Sequence, residues 1–195
     1  MKRVFDLVLG FLAFLITLPL YLFVIALIFF DDGFPVFISL PRVSEGKVVY
    51  VYKFRSMIRG AEQMKKDLEK YNERNDGPLF KMKNDPRLTR SGRILRKMRF
   101  DELPQLINVL QGRLSLVGPR PHEPEETERY PEEFKHIQFV KGGLTGLSQV
   151  SGASGLPFTK ELELDRKYLE NQSLWLDITI LVKTVKLFFF DHTGV

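Results

Sequence analysis

Apolar residues are concentrated at the two ends of the chain, and the middle alternates short apolar runs with dense charge. From Val4 to Phe30 the only interruptions among 27 residues are Asp6, Gly10, Thr17 and Pro19. As an unbroken helix this stretch would be about 40 Å long, more than the ~30 Å hydrocarbon core of a bilayer, so it predicts a membrane element. It is too long for a cleaved signal sequence, and no small-x-small site follows it. Pro19 removes a helical hydrogen bond and predicts a kink or break. The halves on either side, 15 and 11 residues, would each measure about 16–23 Å, too short to cross alone. Lys2 and Arg3 precede the stretch, while Arg42, Lys47, Lys53 and Arg55 follow it, and the positive-inside tendency places both flanks on the cytoplasmic face. A hairpin that enters and leaves by one face satisfies both observations; a straight span stays open on the residues alone.

At the other end, Leu174 to Phe190 is apolar but carries Asp177, Lys183 and Lys186. Those charges make a span costly and predict either an interfacial helix whose lysines reach headgroups or a core-facing helix. Between the two ends, residues 34–58 read as a small β region with a Ser-Glu-Gly turn at its centre. A charged helix is expected over 61–74, with Ala61, Met64, Leu68 and Tyr71 on one face. The turn-rich Asn75-Asp76-Gly77-Pro78 follows.

Charge then changes the picture. Residues 81–99 hold eight basic side chains against Asp85 alone, a net +7, with Leu88, Ile94, Leu95 and Met98 at helical spacing after an expected helix start at Asn84-Asp85-Pro86. An excess this one-sided cannot be paired internally and points to phosphates or anionic lipid. Residues 122–135, with six glutamates, read instead as a surface helix. The whole chain carries a formal +5, which suits an anionic partner. Cysteine is absent, which excludes disulfide frameworks, thiol catalysis and cysteine-ligated metals. The three histidines, His122, His136 and His192, have no metal-ligand spacing.

The candidate chemistry lies just after the basic segment. Pro104 and Gly112 bracket a helix expected from about Glu102 to Gln111, which makes Asp101 its N-cap. A second role competes with capping. Successive helical residues diverge by about 100°, so Asp101 and Glu102 would point to different tasks, one attacking a phosphorus while the other holds a hard divalent cation. Gly118-Pro119-Arg120-Pro121 presents one arginine on a rigid turn. Lys141-Gly142-Gly143-Leu144-Thr145-Gly146 and Gly152 supply glycine-rich backbone that can approach an anion closely.

Taken together, KFRSM (Lys53 to Met57), FDELPQLINVLQGRLSLVGPRP (Phe100 to Pro121), GLTGLSQVSG (Gly143 to Gly152) and LDRKYLENQSLWLDITILVKT (Leu164 to Thr184) make the chain resemble the monotopic phosphoglycosyl transferases, also called the bacterial sugar transferase family. The resemblance covers essentially the whole sequence in order. It implies an α+β fold with a re-entrant membrane helix-break-helix over 1–32 and a catalytic domain over 33–195, in which amphipathic interfacial helices surround a core on the cytosolic face of the bacterial inner membrane. It implies transfer of a sugar-1-phosphate from a UDP-sugar to polyprenyl (undecaprenyl) phosphate with release of UMP. Asp101 would be the nucleophile, forming a phosphosugar-aspartyl intermediate, and Asp101 and Glu102 would hold Mg²⁺. Lys53, Arg55, Arg120, Gln149 and Asp165 match positions that bind substrate. Membrane lipids are expected as partners, a homodimer is compatible, and nucleic acid is not expected, since no stacking-aromatic pattern accompanies the basic segment. The sequence departs from the family pattern at Leu18, preceded by Thr17, where serine is usual, at Gly142-Gly143 in place of Pro-Gly, and at Ala153 in place of an arginine. The large membrane region that precedes the domain in longer members is not expected here. Ala153 motivates the alternative of a weakened homologue serving as a membrane scaffold, and the basic segment that of a membrane-anchored binding module.

Overall fold

The computed structural model describes residues 1–152 and 155–190; Ala153 and His192 lie outside them. In chain order the elements are α1 (Lys2–Asp32), β1 (Phe37–Ser44), β2 (Lys47–Phe54), α2 (Lys65–Leu68), α3 (Arg90–Lys97), α4 (Gln105–Leu110), β3 (Ser115–Val117), α5 (Pro124–Glu128), β4 (Gly143–Thr145), α6 (Leu147–Val150), α7 (Phe158–Glu170) and α8 (Leu174–Phe190). The 3-10 segments Glu69–Tyr71, Phe100–Glu102 and Glu132–Phe139 lie between them. The fold is mixed helix and small sheet, with β1–β2 antiparallel and β3–β4 parallel.

α1 continues through Pro19 instead of breaking there. The proline has no N–H for the Leu15 carbonyl, while the Thr17 hydroxyl donates to the carbonyls of Ala13 (2.8 Å) and Phe14 (3.2 Å). At 31 residues the helix is about 46 Å long, and it is long and apolar enough to cross a membrane. One face is buried on the core through Asp6, Gly10, Tyr21, Val24 and Ile28. The other leaves Val8, Ile16, Leu22, Phe23 and Phe30 exposed.

Both ends of α1 are tied to the same body. Lys2 donates to Asp177 of α8 (2.7 Å), and the Arg3 guanidinium donates to the carbonyls of Val109 (2.7 Å) and Leu110 (2.9 Å), which end α4. At the far end Arg55 donates to the carbonyls of Asp32 (2.8 Å) and Gly33 (2.7 Å), and Asp31 accepts from the Ser91 N–H (2.8 Å) at the start of α3. The flanking cations Lys2, Arg3 and Arg55 are therefore engaged by the protein itself.

The β region forms as the turn chemistry dictates. Glu45 and Gly46 both have positive φ, 54° and 68°, the signature of a two-residue primed turn matched to strand twist. Four local expectations are corrected. The 61–74 helix is reduced to α2 and one 3-10 turn; Ala61 is buried and Met64 and Leu68 half-buried, but Tyr71 is exposed, so the four positions do not share one buried face. Helix α3 starts at Thr89, whose hydroxyl accepts from the Gly92 N–H (2.9 Å), because Asp85 is taken by a buried two-pronged pair with Arg87. The 102–111 helix begins only at Gln105, with Pro104 as its cap, and Asp101 lies inside a separate 3-10 turn. Residues 122–135 are not one surface helix: α5 ends at Glu128, and Tyr130, Phe134 and Ile137 turn inward to pack on Phe158 and Leu162. α8 is core-facing on one side, with Asp177 and Ile180 buried, and leaves Trp175, Val182 and Val185 exposed on the other.

The β3–β4 pair is the centre of the fold, with all three β3 residues buried. Its continuation depends on glycine at the close approach of two backbones. The Gly118 N–H donates to the Thr145 carbonyl (2.9 Å) and the Gly143 N–H to the Pro119 carbonyl (2.8 Å), and a Cβ on Gly143 would lie 2.1 Å from the Gly118 nitrogen. These glycines fit backbone against backbone, where the sequence alone suggested approach to an anion. Gly143→Ala is expected to cost about 2–3 kcal/mol through forced separation of the strands, seen as a Tm lowered by about 4–10 °C.

Candidate active site

Three segments converge. Lys53 is the second-to-last residue of β2, next to the fully buried Phe54 that ends it. Arg99, two residues beyond α3, is left-handed with φ 57° and turns the chain into the 3-10 turn that carries Asp101 and Glu102. Lys53 Nζ lies 2.7 Å from Glu102 Oε1 and 3.7 Å from Asp101 Oδ2, so one ammonium bridges both carboxylates.

The two acids are driven apart electrostatically. Burial raises both, but for Glu102 the positive charges of Lys53, Arg120 and Arg99 and the Lys53 hydrogen bond outweigh it, and its carboxyl is lowered to about 2. Asp101 is nearly inaccessible, and desolvation, reinforced by the Glu102 charge, holds it above the usual carboxylate range in spite of Lys53. Neighbouring carboxyls with opposed shifts are suited to different roles.

Arg120 follows the Gly118-Pro119 turn. Its backbone N–H donates to Asp165 Oδ2 (3.1 Å), and Asp165 Oδ1 accepts from the Ser148 hydroxyl (2.7 Å). Gln149 Oε1 lies 3.2 Å from that same hydroxyl. Arg120 is exposed and Glu102 half-buried, so both keep surface open to solvent. Burial works against charge on Arg120, but Glu102, Glu161, Glu126 and Asp165 together favour it.

Asp101, Glu102, Lys53 and Arg120 thus form one electrostatic group. Asp165 and Gln149 stand behind Arg120. Arg55 is placed apart, its contacts being with Asp32 and Gly33 at the end of α1. His122 is a buried neutral ring: its Nδ1 pairs with the Tyr130 hydroxyl (2.5 Å), and burial, with Arg120, Arg42 and Arg74 nearby, lowers it to about 3. Of the basic segment, Arg87 pairs with Asp85 and Arg96 donates to Ser56 (3.0 Å), leaving Arg90, Arg93 and Lys97 exposed on α3.

Two positions escaped the sequence reading. Arg74 pairs with buried Glu161 (2.9 Å) and donates to the Leu156 carbonyl (2.8 Å), joining the 72–83 loop to α7. Glu161 stands four residues before Asp165, so the shared helix face was a readable signal; Arg74 offered none. A cavity of about 230 Å³ opens elsewhere, beside Lys2, Arg3, Asp6, Gly118 and Lys141. Its cations are engaged by Asp177, the α4 carbonyls and Glu45.

Among the described residues no group of three or more His, Cys, Asp or Glu side chains could hold a metal by itself. The adjacent Asp101 and Glu102 carboxylates nevertheless suit Mg²⁺, which takes one or two carboxylates and completes its shell with water and substrate phosphate.

The bacterial sugar transferase family model matches residues 1–191, and the chain belongs to that family. It is 41% identical to the undecaprenyl-phosphate galactose phosphotransferase of Salmonella typhimurium over 96% of this chain and 40% of the relative. It is 36% identical to the undecaprenyl-phosphate glucose phosphotransferase of Komagataeibacter xylinus, over 99% of this chain and 36% of that one. The exopolysaccharide production protein ExoY of Rhizobium meliloti is 36% identical over 94% of this chain and 83% of its own length. The chain thus spans about 40% of the length of the Salmonella relative.

Asp165 generates a stability prediction. Burial pushes its carboxyl up to about 7 against the pull of Ser148 and the Arg120 N–H. A raised carboxyl binds its proton more tightly folded than unfolded, so its stabilising contribution is complete below about pH 4 and is lost as pH rises through about 7. Asp165→Asn cannot titrate. From pH 5 to pH 8 the wild type should lose up to about 3 kcal/mol relative to this variant, read as a narrowing or reversal of their Tm difference.

Proposed function

We propose that this protein transfers a sugar-1-phosphate from a UDP-sugar to polyprenyl (undecaprenyl) phosphate at the cytoplasmic face of the bacterial inner membrane, releasing UMP. The observation that carries the reading is the Asp101–Glu102 pair under one lysine, with one carboxyl raised and its neighbour held ionised. The names of the Salmonella and Komagataeibacter relatives supply the acceptor and the sugar-phosphate chemistry.

In this reading Asp101, once ionised, is a poorly solvated and therefore strong nucleophile. Its carboxylate oxygen bonds to the β-phosphorus, the bond from that phosphorus to the bridging oxygen breaks, and the electron pair leaves on UMP. A phosphate oxygen of the polyprenyl acceptor then attacks the same phosphorus and displaces the Asp101 carboxylate, regenerating the enzyme. Lys53 orients Asp101 and Glu102, and Arg120 faces the diphosphate with the guanidinium fork that suits it. Glu102, together with Asp101, would hold Mg²⁺, whose chemistry when bound is to draw charge off the diphosphate.

A monotopic placement of α1 is supported by its two ends being tied to one body and by its apolar outward face; the break of a re-entrant hairpin is not, since the helix is continuous through Pro19. A helix held at both ends by the same domain cannot leave those ends on opposite sides of a membrane. Its outward face and that of α8 then sit among the lipids, and a lipid acceptor keeps its phosphate at the level of the site.

The test is UMP release by nanodisc-embedded protein supplied with Mg²⁺, undecaprenyl phosphate and a panel of UDP-sugars. Release is expected with a defined donor, lost with EDTA and reduced at least about 1,000-fold by Asp101→Asn. Absence of release with every donor from a folded sample would reject the reading. Because Asp101 must be ionised to attack, activity falls as pH drops through its raised pKa. Lys53→Met removes the nearest compensating cation, so the acid limb of the pH–rate profile should move to higher pH.

A further inference from the structure

The membrane helix reaches the catalytic turn directly. Tyr21, two residues after Pro19, is buried, and its hydroxyl donates to the Leu103 carbonyl at 2.6 Å. Leu103 follows Glu102 immediately and closes the 3-10 turn through its own N–H to the Phe100 carbonyl (3.2 Å). Its carbonyl also receives the Leu106 N–H (3.0 Å), so the same oxygen joins the catalytic turn to the start of α4. The residue after it is Pro104, which has no N–H with which to hold this peptide group from the other side. The Tyr21 ring meets Phe54 edge-on at 5.3 Å, and Phe54 adjoins Lys53. One side chain therefore touches both the strand that carries Lys53 and the turn that carries Asp101 and Glu102.

The rest of α1 holds the other end of the same segment. Gly10 faces Val109, which a Cβ there would approach to 3.3 Å, and Arg3 takes the Val109 and Leu110 carbonyls. From Leu103 to Leu110 the chain is braced on α1 at both ends.

We propose that Tyr21 is a positioning residue: its hydroxyl and ring together set the spacing between Lys53 and the Asp101–Glu102 turn, which makes the membrane helix part of the catalytic apparatus as well as an anchor. This rests on the transferase reading above. Small displacements of reacting groups cost large factors in rate while leaving remote binding contacts intact, so the signature is a loss of turnover per competent site.

The experiment compares wild type, Tyr21→Phe and Asp101→Asn in nanodiscs. Phenylalanine keeps the ring against Phe54 and Phe14 and removes only the hydroxyl. Turnover is measured as UMP release, KM for the UDP-sugar is taken from the same data, and calorimetric titration with UDP and Mg²⁺ counts competent sites per chain. The expected result for Tyr21→Phe is a kcat lowered about tenfold per competent site, with KM within twofold of wild type and one UDP site per chain. Turnover per site equal to wild type within twofold would overturn the proposal. So would a fall in turnover matched by a fall in competent sites, since that is lost folding, or a loss expressed in KM alone. Failure of the wild type itself to turn over, while it still binds UDP, would reject the transferase reading and this proposal with it; an active wild type beside an unaffected Tyr21→Phe would reject this proposal only.

Discussion

Two neighbouring carboxyl groups in a poorly hydrated turn repel each other and resist ionisation, and the Lys53 ammonium between them is what makes the arrangement tenable. It lies closer to Glu102 than to Asp101 by 1 Å, and Arg120 and Arg99 add to the same side. The compensation is therefore unequal. Glu102 stays anionic, while Asp101 keeps a higher proton affinity and less solvation. Without the lysine both acids would drift toward neutrality. The backbone around them answers to this requirement: β2 delivers Lys53 from one side, and the left-handed Arg99 swings the acids in from the other.

Arg120 is positioned by a different means, through its backbone. The parallel β3–β4 pair brings Gly118 and Gly143 so close that neither tolerates a side chain, and the chain leaves this contact at Arg120, where Asp165 takes its N–H. Ser148 steadies Asp165 in turn. Glu161, on the same face of α7, carries its influence to Arg120 through space and is held by Arg74. The guanidinium is left to face solvent while its attachment point is fixed by buried groups.

Features governed by neighbours in sequence were legible before the fold was known. The 27-residue apolar run marks α1, and the Glu45-Gly46 turn marks the hairpin. Asp101 and Glu102 stood out by their place after the basic segment and by resemblance, yet capping logic placed them at the head of a helix. The left-handed Arg99 defeated that logic, because nothing in the residue type announces a positive φ. The 61–74 and 122–135 stretches failed for a related reason. Helical periodicity or charge described each in isolation, but tertiary partners decided the outcome: Glu123 is drawn to Arg42 and Lys65, and Tyr130 and Phe134 are drawn to α7. Contacts between residues far apart in sequence, such as Arg74 with Glu161 and Tyr21 with Leu103, leave no local trace.

α1 joins these levels. A helix that only anchored a domain would need apolar residues all round and one short link to the rest of the chain. This one buries an aspartate and a glycine on its inner face, donates Arg3 to the end of α4, and accepts from the Leu116 N–H through Asp6 (3.2 Å). Leu116 is the central residue of β3, which leads to Arg120, while Leu103 follows the acids directly. The inner face therefore touches both the turn that carries Asp101 and Glu102 and the strand that leads to Arg120. Any shift of α1 against the core must move at least one of them. Because its outer face is the apolar one, the surface that lipid would press on is continuous, through a single helix, with the groups that would do the reaction.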